Sequence, residues 1–267
     1  MTSQTNPRRY GTAPFRLVVV HGGPGAPGGM APVARELASR GGVLEPLQTA
    51  DSVQGQVEEL RSMLKNIADG PYQLIGASWG AWLSLILAAQ YPALVSKLIL
   101  VGAGPFEEWY ATDIMALRMS RLSPDDRNRA ETLIKHLERA HADSGDQALG
   151  ELGTLLSRTD AYDPVPAEAE AVQCDAAIYH KVWTEANELR RSGALLELTS
   201  RITIPVVAIH GDYDPHPSAG VREPLGRTLQ DFRFIELTEC GHEPWRERRA
   251  RGPFFAALVA ELGQVIT

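Results

Sequence analysis

The sequence predicts an α/β protein: a mostly parallel central sheet with helices on both faces, interrupted once by a long helical insertion. Three observations lead there. Short β-branched runs alternate with helix-length segments over the first hundred residues, as parallel strands joined by helical crossovers must. A stretch without any strand-like run follows, and strands then resume. Glycine and proline, 24 and 18 in 267 residues, gather in His21-Gly-Gly-Pro-Gly-Ala-Pro-Gly-Gly29, directly behind the first apolar run, where a shaped loop is expected and a bland connector is not.

Taken in order, Phe15 to Val20 reads as a buried strand feeding that loop. Met30 to Arg40 carries apolar residues at helical spacing and stops at Gly41-Gly42. Val43 to Leu47 is a short strand, and Val53 to Ile67 a helix with Ser52 placed to cap it. Tyr72 to Gly76 is a third strand, Ala81 to Ala89 an almost wholly apolar helix, and Leu98 to Gly102 a fourth strand. From Glu107 to Thr199 the chain is charged and helix-favouring, with a proline-containing joint at Asp163-Pro-Val-Pro166. Pro205 to His210 and Phe232 to Leu237 restore the strand pattern, and Gly252 to Leu262 closes the chain as a helix. This divides the protein into a core, 1–104 and 201–267, and an insertion, 105–200, of the size of a lid rather than a loop.

Composition sets limits on partners. Hydrophobic residues are 44% and charged residues 22%, a globular balance. Lys plus Arg total 26 against 33 for Asp plus Glu, a net charge of −7, which argues against a nucleic-acid backbone as partner. Arg246, Arg248, Arg249 and Arg251 form a local exception, read as the solvated face of the last helix. The polar start and the short run behind it provide neither a signal sequence nor a membrane span. Two cysteines, Cys174 and Cys240, without CxxC spacing, suit a reducing compartment, so a cytoplasmic protein is expected.

The strongest chemical signal is Gly76-Ala-Ser-Trp-Gly80, a G-x-S-x-G string set between a strand and an apolar helix. A serine hydroxyl becomes a nucleophile when a tight turn thrusts it out and a base takes its proton. His242, in Glu239-Cys-Gly-His242, and Asp214, in His210-Gly-Asp-Tyr-Asp214, each follow a strand and would emerge at the same sheet edge. The chain order serine, acid, histidine is that of one of the three common triads. Asp212 is the rival acid, two residues earlier. The alternation His210, Asp212, Asp214, His216 also raises a metal reading; four ligands from one strand end would crowd one side of an ion, so neither a metal nor another cofactor is expected.

With these residues in place the sequence resembles the α/β-hydrolase fold enzymes over nearly its whole length. His21-Gly-Gly-Pro-Gly25 together with Gly76-Ala-Ser-Trp-Gly80 is similar to the proline iminopeptidase-like group. The resemblance implies Ser78 as nucleophile, His242 as base, Asp214 as orienting acid, and the backbone amides of Gly23 and Trp79 as the oxyanion hole. It also implies that the insertion sits over Ser78 as a cap and that acidic cap residues hold a substrate amine.

The candidates for that amine site are Glu168, Glu170, Glu185 and Glu188, with Trp183 and Glu185 the pair singled out, because an aromatic ring beside a carboxylate suits a cation. Two departures from the group stand out. His21 arrives too early for the two antiparallel strands that usually precede this loop, so one or both are expected to be missing, and the insertion is shorter than an iminopeptidase cap. The expected activity is therefore hydrolysis of a small ester or amide, or of a short peptide, through an acyl-enzyme. A carboxylesterase or a carbon–carbon bond hydrolase is the alternative, and a non-catalytic ligand-binding protein on the same fold is the rival of another class. The oligomeric state is open; a homodimer through the cap or an edge strand is compatible with the sequence.

Overall fold

A computed structural model describes residues 5–139, 145–166 and 174–263. Seven strands form one sheet in the order β1-β3-β2-β4-β5-β6-β7. They are β1 (Arg8–Tyr10), β2 (Phe15–Val20), β3 (Gly42–Glu45), β4 (Tyr72–Ala77), β5 (Val95–Val101), β6 (Val206–Gly211) and β7 (Phe232–Leu237). Only β1 runs antiparallel, pairing with β3 at the sheet edge. Among the described residues one antiparallel strand therefore precedes the glycine loop. It is three residues long, and Arg8-Arg9-Tyr10 carries no apolar run that would mark it in the sequence.

The strands are buried on both faces, and their side chains alternate with the period of two that a pleat imposes. Val18, Val20, Leu74, Leu98, Leu100 and Val206 face α2 (Val53–Ile67) and α3 (Trp79–Gln90). Leu17, Val19, Ile75, Ile99, Val101 and Val207 face α1 (Ala31–Leu37) and α10 (Arg251–Leu262). Every residue of α3 from Trp79 to Ala89 is buried, which is why this helix reads as apolar all round. Ser52 caps α2 as its sequence position suggests, accepting from the Gly55 amide at 3.0 Å.

Between β5 and β6 lie α4 (Ile114–Ser120), α5 (Pro124–Arg139), α6 (Gly145–Thr159), α7 (Ala176–Arg191) and α8 (Ala194–Glu197). They divide by where they bury apolar surface. Leu122, Ala130, Leu152 and Leu155 form a small separate core with Met119 and Leu133. Val182 and Ala186 of α7 and Leu195 of α8 instead join the core beneath. Between β6 and β7, α9 (Ala219–Thr228) contains Pro224, a residue whose missing amide and ring argue against a helix when only sequence is read.

Arg246, Arg248 and Arg249 precede α10 and Arg251 is its first residue, so they do not line its face. Each is paired, with Glu243, Asp163, Glu239 and Glu36 in turn. Among the described residues no helix is long and apolar enough to cross a membrane.

Candidate active site

Parallel strands deliver their following loops to one edge of the sheet, and here that edge collects the chemistry. Val20 pairs with Gly76, Ala77 with Val101, and Gly211 with Leu237, so the segments after β2, β4, β6 and β7 start at nearly one level. Those segments carry the glycine loop, Ser78, Asp214 and His242.

Ser78 joins β4 to α3 with φ 52 and ψ −117, in the left-handed half of conformational space that a non-glycine residue enters at a cost. Its amide donates to the Val101 carbonyl at 2.9 Å, which ties the turn to β5. The turn is tight enough that a Cβ on Gly80 would lie 2.3 Å from the Val20 carbonyl oxygen and 2.5 Å from that of His21. Both are backbone atoms that cannot step aside. Gly80→Ala is expected to cost about 3 kcal/mol or more through overpacking, a fall of roughly 5–10 °C in melting temperature. A thermal unfolding scan checks this, and an unchanged midpoint would remove the steric account of the second glycine.

The glycine loop lies against the serine: a Cβ on Gly22 would sit 3.0 Å from Ser78 Cβ. His21 braces this loop. Its Nε2 accepts from the Gln48 amide at 3.3 Å, which leaves the hydrogen on Nδ1 to donate to the Gly22 carbonyl at 2.9 Å. Complete burial holds its pKa below the ordinary value, so the ring is neutral. Gly25, at φ +75, abuts the start of α7, and its carbonyl accepts from the Asp175 amide at 2.7 Å. Gly23 and Trp79 both line the cavity in front of Ser78, and the Trp79 indole is fixed from behind by Nε1–H donation to Gln56 Oε1 at 2.9 Å.

Asp214 is fully buried and ringed by imidazoles. Its Oδ2 accepts from His242 Nδ1 at 2.7 Å, and its Oδ1 from His216 Nδ1 at 2.8 Å and from the His216 amide at 2.9 Å. His210 Nε2 lies 3.4 Å from Oδ2 while donating to the His216 carbonyl at 2.8 Å. Burial alone would raise the Asp214 pKa, but the three histidines outweigh it and hold the carboxyl well below its usual range. An ionised carboxylate only accepts, so His242 and His216 each carry a hydrogen on Nδ1, and Nε2 is the atom at which each ring gains or loses its proton. For His242, burial pulls the pKa down, and attraction to Asp214, its hydrogen bond and nearby Asp160 more than reverse this; the net shift is upward. Asp212 stands apart from this cluster. It is exposed, and its Oδ1 accepts from the Cys240 amide at 3.1 Å.

Ser78 and His242 line one cavity of about 690 Å³, together with Gly23, Trp79, Tyr179 and Trp183. A second, of about 190 Å³, shares Ser78, Trp79, Trp183, Arg118 and His216 with it. Trp183 thus stands at the site, stacked on Trp82 with ring centroids 5.9 Å apart. Glu185, its expected partner in holding an amine, does not. It points to α2, where its Oε2 accepts from the Val53 amide at 2.7 Å, because residues two apart on a helix face different ways. Glu188 pairs with Arg191, and Glu168 and Glu170 lie outside the described residues.

Sequence reasoning missed a second layer that holds the histidine loop. The Asp160 carbonyl accepts from the His242 amide at 2.8 Å, and its carboxylate takes a two-pronged bond from Arg118 at 2.8 and 2.6 Å. Buried Glu247 accepts from the amides of Tyr162, Asp163 and Gly241, which staples the loop carrying His242 to the segment after α6. No local pattern marks these residues, since all their partners but Gly241 lie about 40 to 85 positions away. The acceptor atoms of Asp214, His216 and His242 lie within 4.8 Å of one another, but both oxygens of Asp214 already face imidazole N–H groups.

Comparison with known proteins agrees with this architecture. The α/β hydrolase fold family model matches residues 48–244. A pimeloyl-[acyl-carrier protein] methyl ester esterase of Nitrosomonas europaea is 27% identical over 199 residues, 71% of this chain and 72% of the relative. Among solved structures, VinJ superposes with a TM-score of 0.68 at 21% identity, covering 97% of this chain and 94% of its own. A proline iminopeptidase of Mycobacterium smegmatis follows with 0.66 at 20% identity, covering 96% and 92%. The strand order, the strained serine turn and the family match over most of the chain lead to one conclusion: this protein belongs to the α/β hydrolase fold family and is a hydrolase.

Proposed function

We propose that this hydrolase cleaves a small, uncharged acyl ester through an acyl-enzyme on Ser78, with residues 105–200 serving as its cap. In this reading His242 Nε2 takes the Ser78 hydroxyl proton as Oγ bonds to the ester carbonyl carbon. The oxyanion that forms is met by the Gly23 and Trp79 amides. The bond to the leaving oxygen then breaks and His242 returns the proton to it. A water, deprotonated by the same Nε2, attacks the acyl carbon, and Ser78 leaves with the proton restored. Asp214 holds the imidazolium between the two transfers.

One observation favours an ester over the aminopeptidase alternative. Among the described residues, every carboxylate that lines the larger cavity already has a partner: Asp160 has Arg118, Glu243 has Arg246, and Glu247 has three backbone amides. A substrate ammonium in a partly dry pocket needs a carboxylate of its own, and none of these is free to supply it. The methyl ester esterase among the relatives points the same way.

The test compares 4-nitrophenyl propionate with 4-nitrophenyl alaninate, which differ by hydrogen against ammonium. The propionate ester is expected to be turned over with equal or higher kcat/KM after correction for intrinsic reactivity. A preference of about tenfold or more for the alanine ester would return the reading to an aminopeptidase.

A further inference from the structure

His216 stands at the site with no part in the proton transfers just described. Its ring lies 4.6 Å from that of His242, centroid to centroid, and it borders both cavities that meet at Ser78. Because Nδ1–H is committed to Asp214, the bare Nε2 is the edge left for the cavities. The ring also stays neutral: burial pulls its pKa down to about 4, against the opposing pull of Asp214. A neutral imidazole with its N–H engaged elsewhere is a fixed hydrogen-bond acceptor at neutral pH and nothing else.

The two cavities have different neighbours. His242 and Gly23 border only the larger one. Because His242 must hand its proton to the leaving group, that group belongs in the larger cavity. The smaller one, walled by Trp82, Pro105, Ile114 and Met115 and lined as well by Arg118, Asn187 and Arg190, is left for the acyl chain, and His216 borders it next to Ser78. Arg118 and Arg190 there are donors already bonded to Asp160 and Glu108, so an acceptor close to the acyl carbon discriminates strongly, because a chain without a donor leaves it unpaired.

We propose that His216 is a specificity-determining residue whose Nε2 accepts a hydrogen bond from a hydroxyl on the acyl chain near the scissile carbonyl, so that the preferred substrates are short hydroxyacyl esters. The proposal rests on Ser78 acting as the nucleophile. A charged amine is a poorer fit, since among the described residues no free carboxylate accompanies the imidazole.

The experiment measures kcat/KM for the 4-nitrophenyl esters of butyrate, 2-hydroxybutyrate and 3-hydroxybutyrate, each divided by its rate of base hydrolysis. The wild-type protein is expected to favour one hydroxy ester over butyrate by about tenfold. In His216→Asn the amide nitrogen replaces Nδ1 as donor to Asp214 while the Nε2 acceptor is lost, and the ratio is expected to fall close to one. Harm to the Ser78 machinery lowers both rates and cancels in that ratio. His216→Gln, which places an amide near the Nε2 position, is expected to keep part of the preference. Equal corrected rates for all three esters in the wild type, or a preference that survives in His216→Asn, overturns the proposal. Ser78→Ala separates it from its foundation: ester turnover that persists in that variant overturns the serine reading itself. Loss of turnover there combined with no hydroxyl preference in the wild type overturns only the role of His216.

Discussion

Ser78→Ala is expected to lower the turnover of 4-nitrophenyl esters by about 10⁴-fold or more while leaving the fold intact. The substitution removes one oxygen. The hydrogen bond that holds the turn, from the residue 78 amide to the Val101 carbonyl, is a backbone bond and survives. Alanine also meets the same positive φ that serine already tolerates, so no new strain is introduced. The melting temperature should therefore stay within about 2 °C of the parent. Labelling by a fluorophosphonate probe should vanish together with turnover. Wild-type protein that fails to label, or a variant that retains ester hydrolysis, would instead favour the ligand-binding rival or another nucleophile.

Asp214→Asn should lower kcat by about 10³ to 10⁴-fold, and the structure explains why an isosteric change is so costly. Oδ1 faces the His216 backbone amide, which can only donate. The Asn oxygen must take that position, which turns its NH₂ towards His242 Nδ1. That nitrogen then has to accept, the hydrogen moves to Nε2, and the ring can no longer receive a proton from Ser78.

The pH profile carries the same logic. His242 must be neutral to act as base, and its environment raises its pKa above the ordinary 6.5, chiefly through Asp214 acting against burial. Wild-type kcat/KM should thus climb with pH and reach half its plateau above pH 6.5. In Asp214→Asn the raising charge is gone and burial remains, so the acid limb of the residual activity should move to lower pH. A variant within tenfold of the parent, or an unmoved limb, would remove Asp214 from the role of orienting acid.

Much of the architecture was legible because it rests on short-range periodicity. Val53–Ile67 and Phe232–Leu237 have the bounds that hydrophobic spacing and caps indicate. The elements that escaped notice are those whose local preferences point elsewhere. β1 is three polar-to-aromatic residues whose strand state comes from pairing with Glu45, Leu44 and Val43. α9 carries Pro224, buried along with Val221 and Leu225, so its helix is held by packing rather than propensity.

At the site the division is similar. Gly22, Gly23, Ser78 and Gly80 announce themselves because a tight strand-to-helix turn and a close backbone approach exclude almost every other residue. Asp214 and His242 follow from their positions after strands. Glu185 shows the limit of that approach: a carboxylate two residues from Trp183 is close in sequence, yet it lies on another face of α7 and binds the start of α2.

By itself the sequence determined the sheet, the serine turn and the order of the three chemical groups, since each depends on residues adjacent in the chain or on strand period. Tertiary structure decided what surrounds them. It decided that Asp214 is shared among His210, His216 and His242, that Arg118 neutralises Asp160 while backbone amides occupy Glu247, and that two cavities meet at Ser78. The reason is physical: a buried charge is balanced by whatever partners folding brings to it, and here most of those partners come from loops and helices that sequence spacing does not connect.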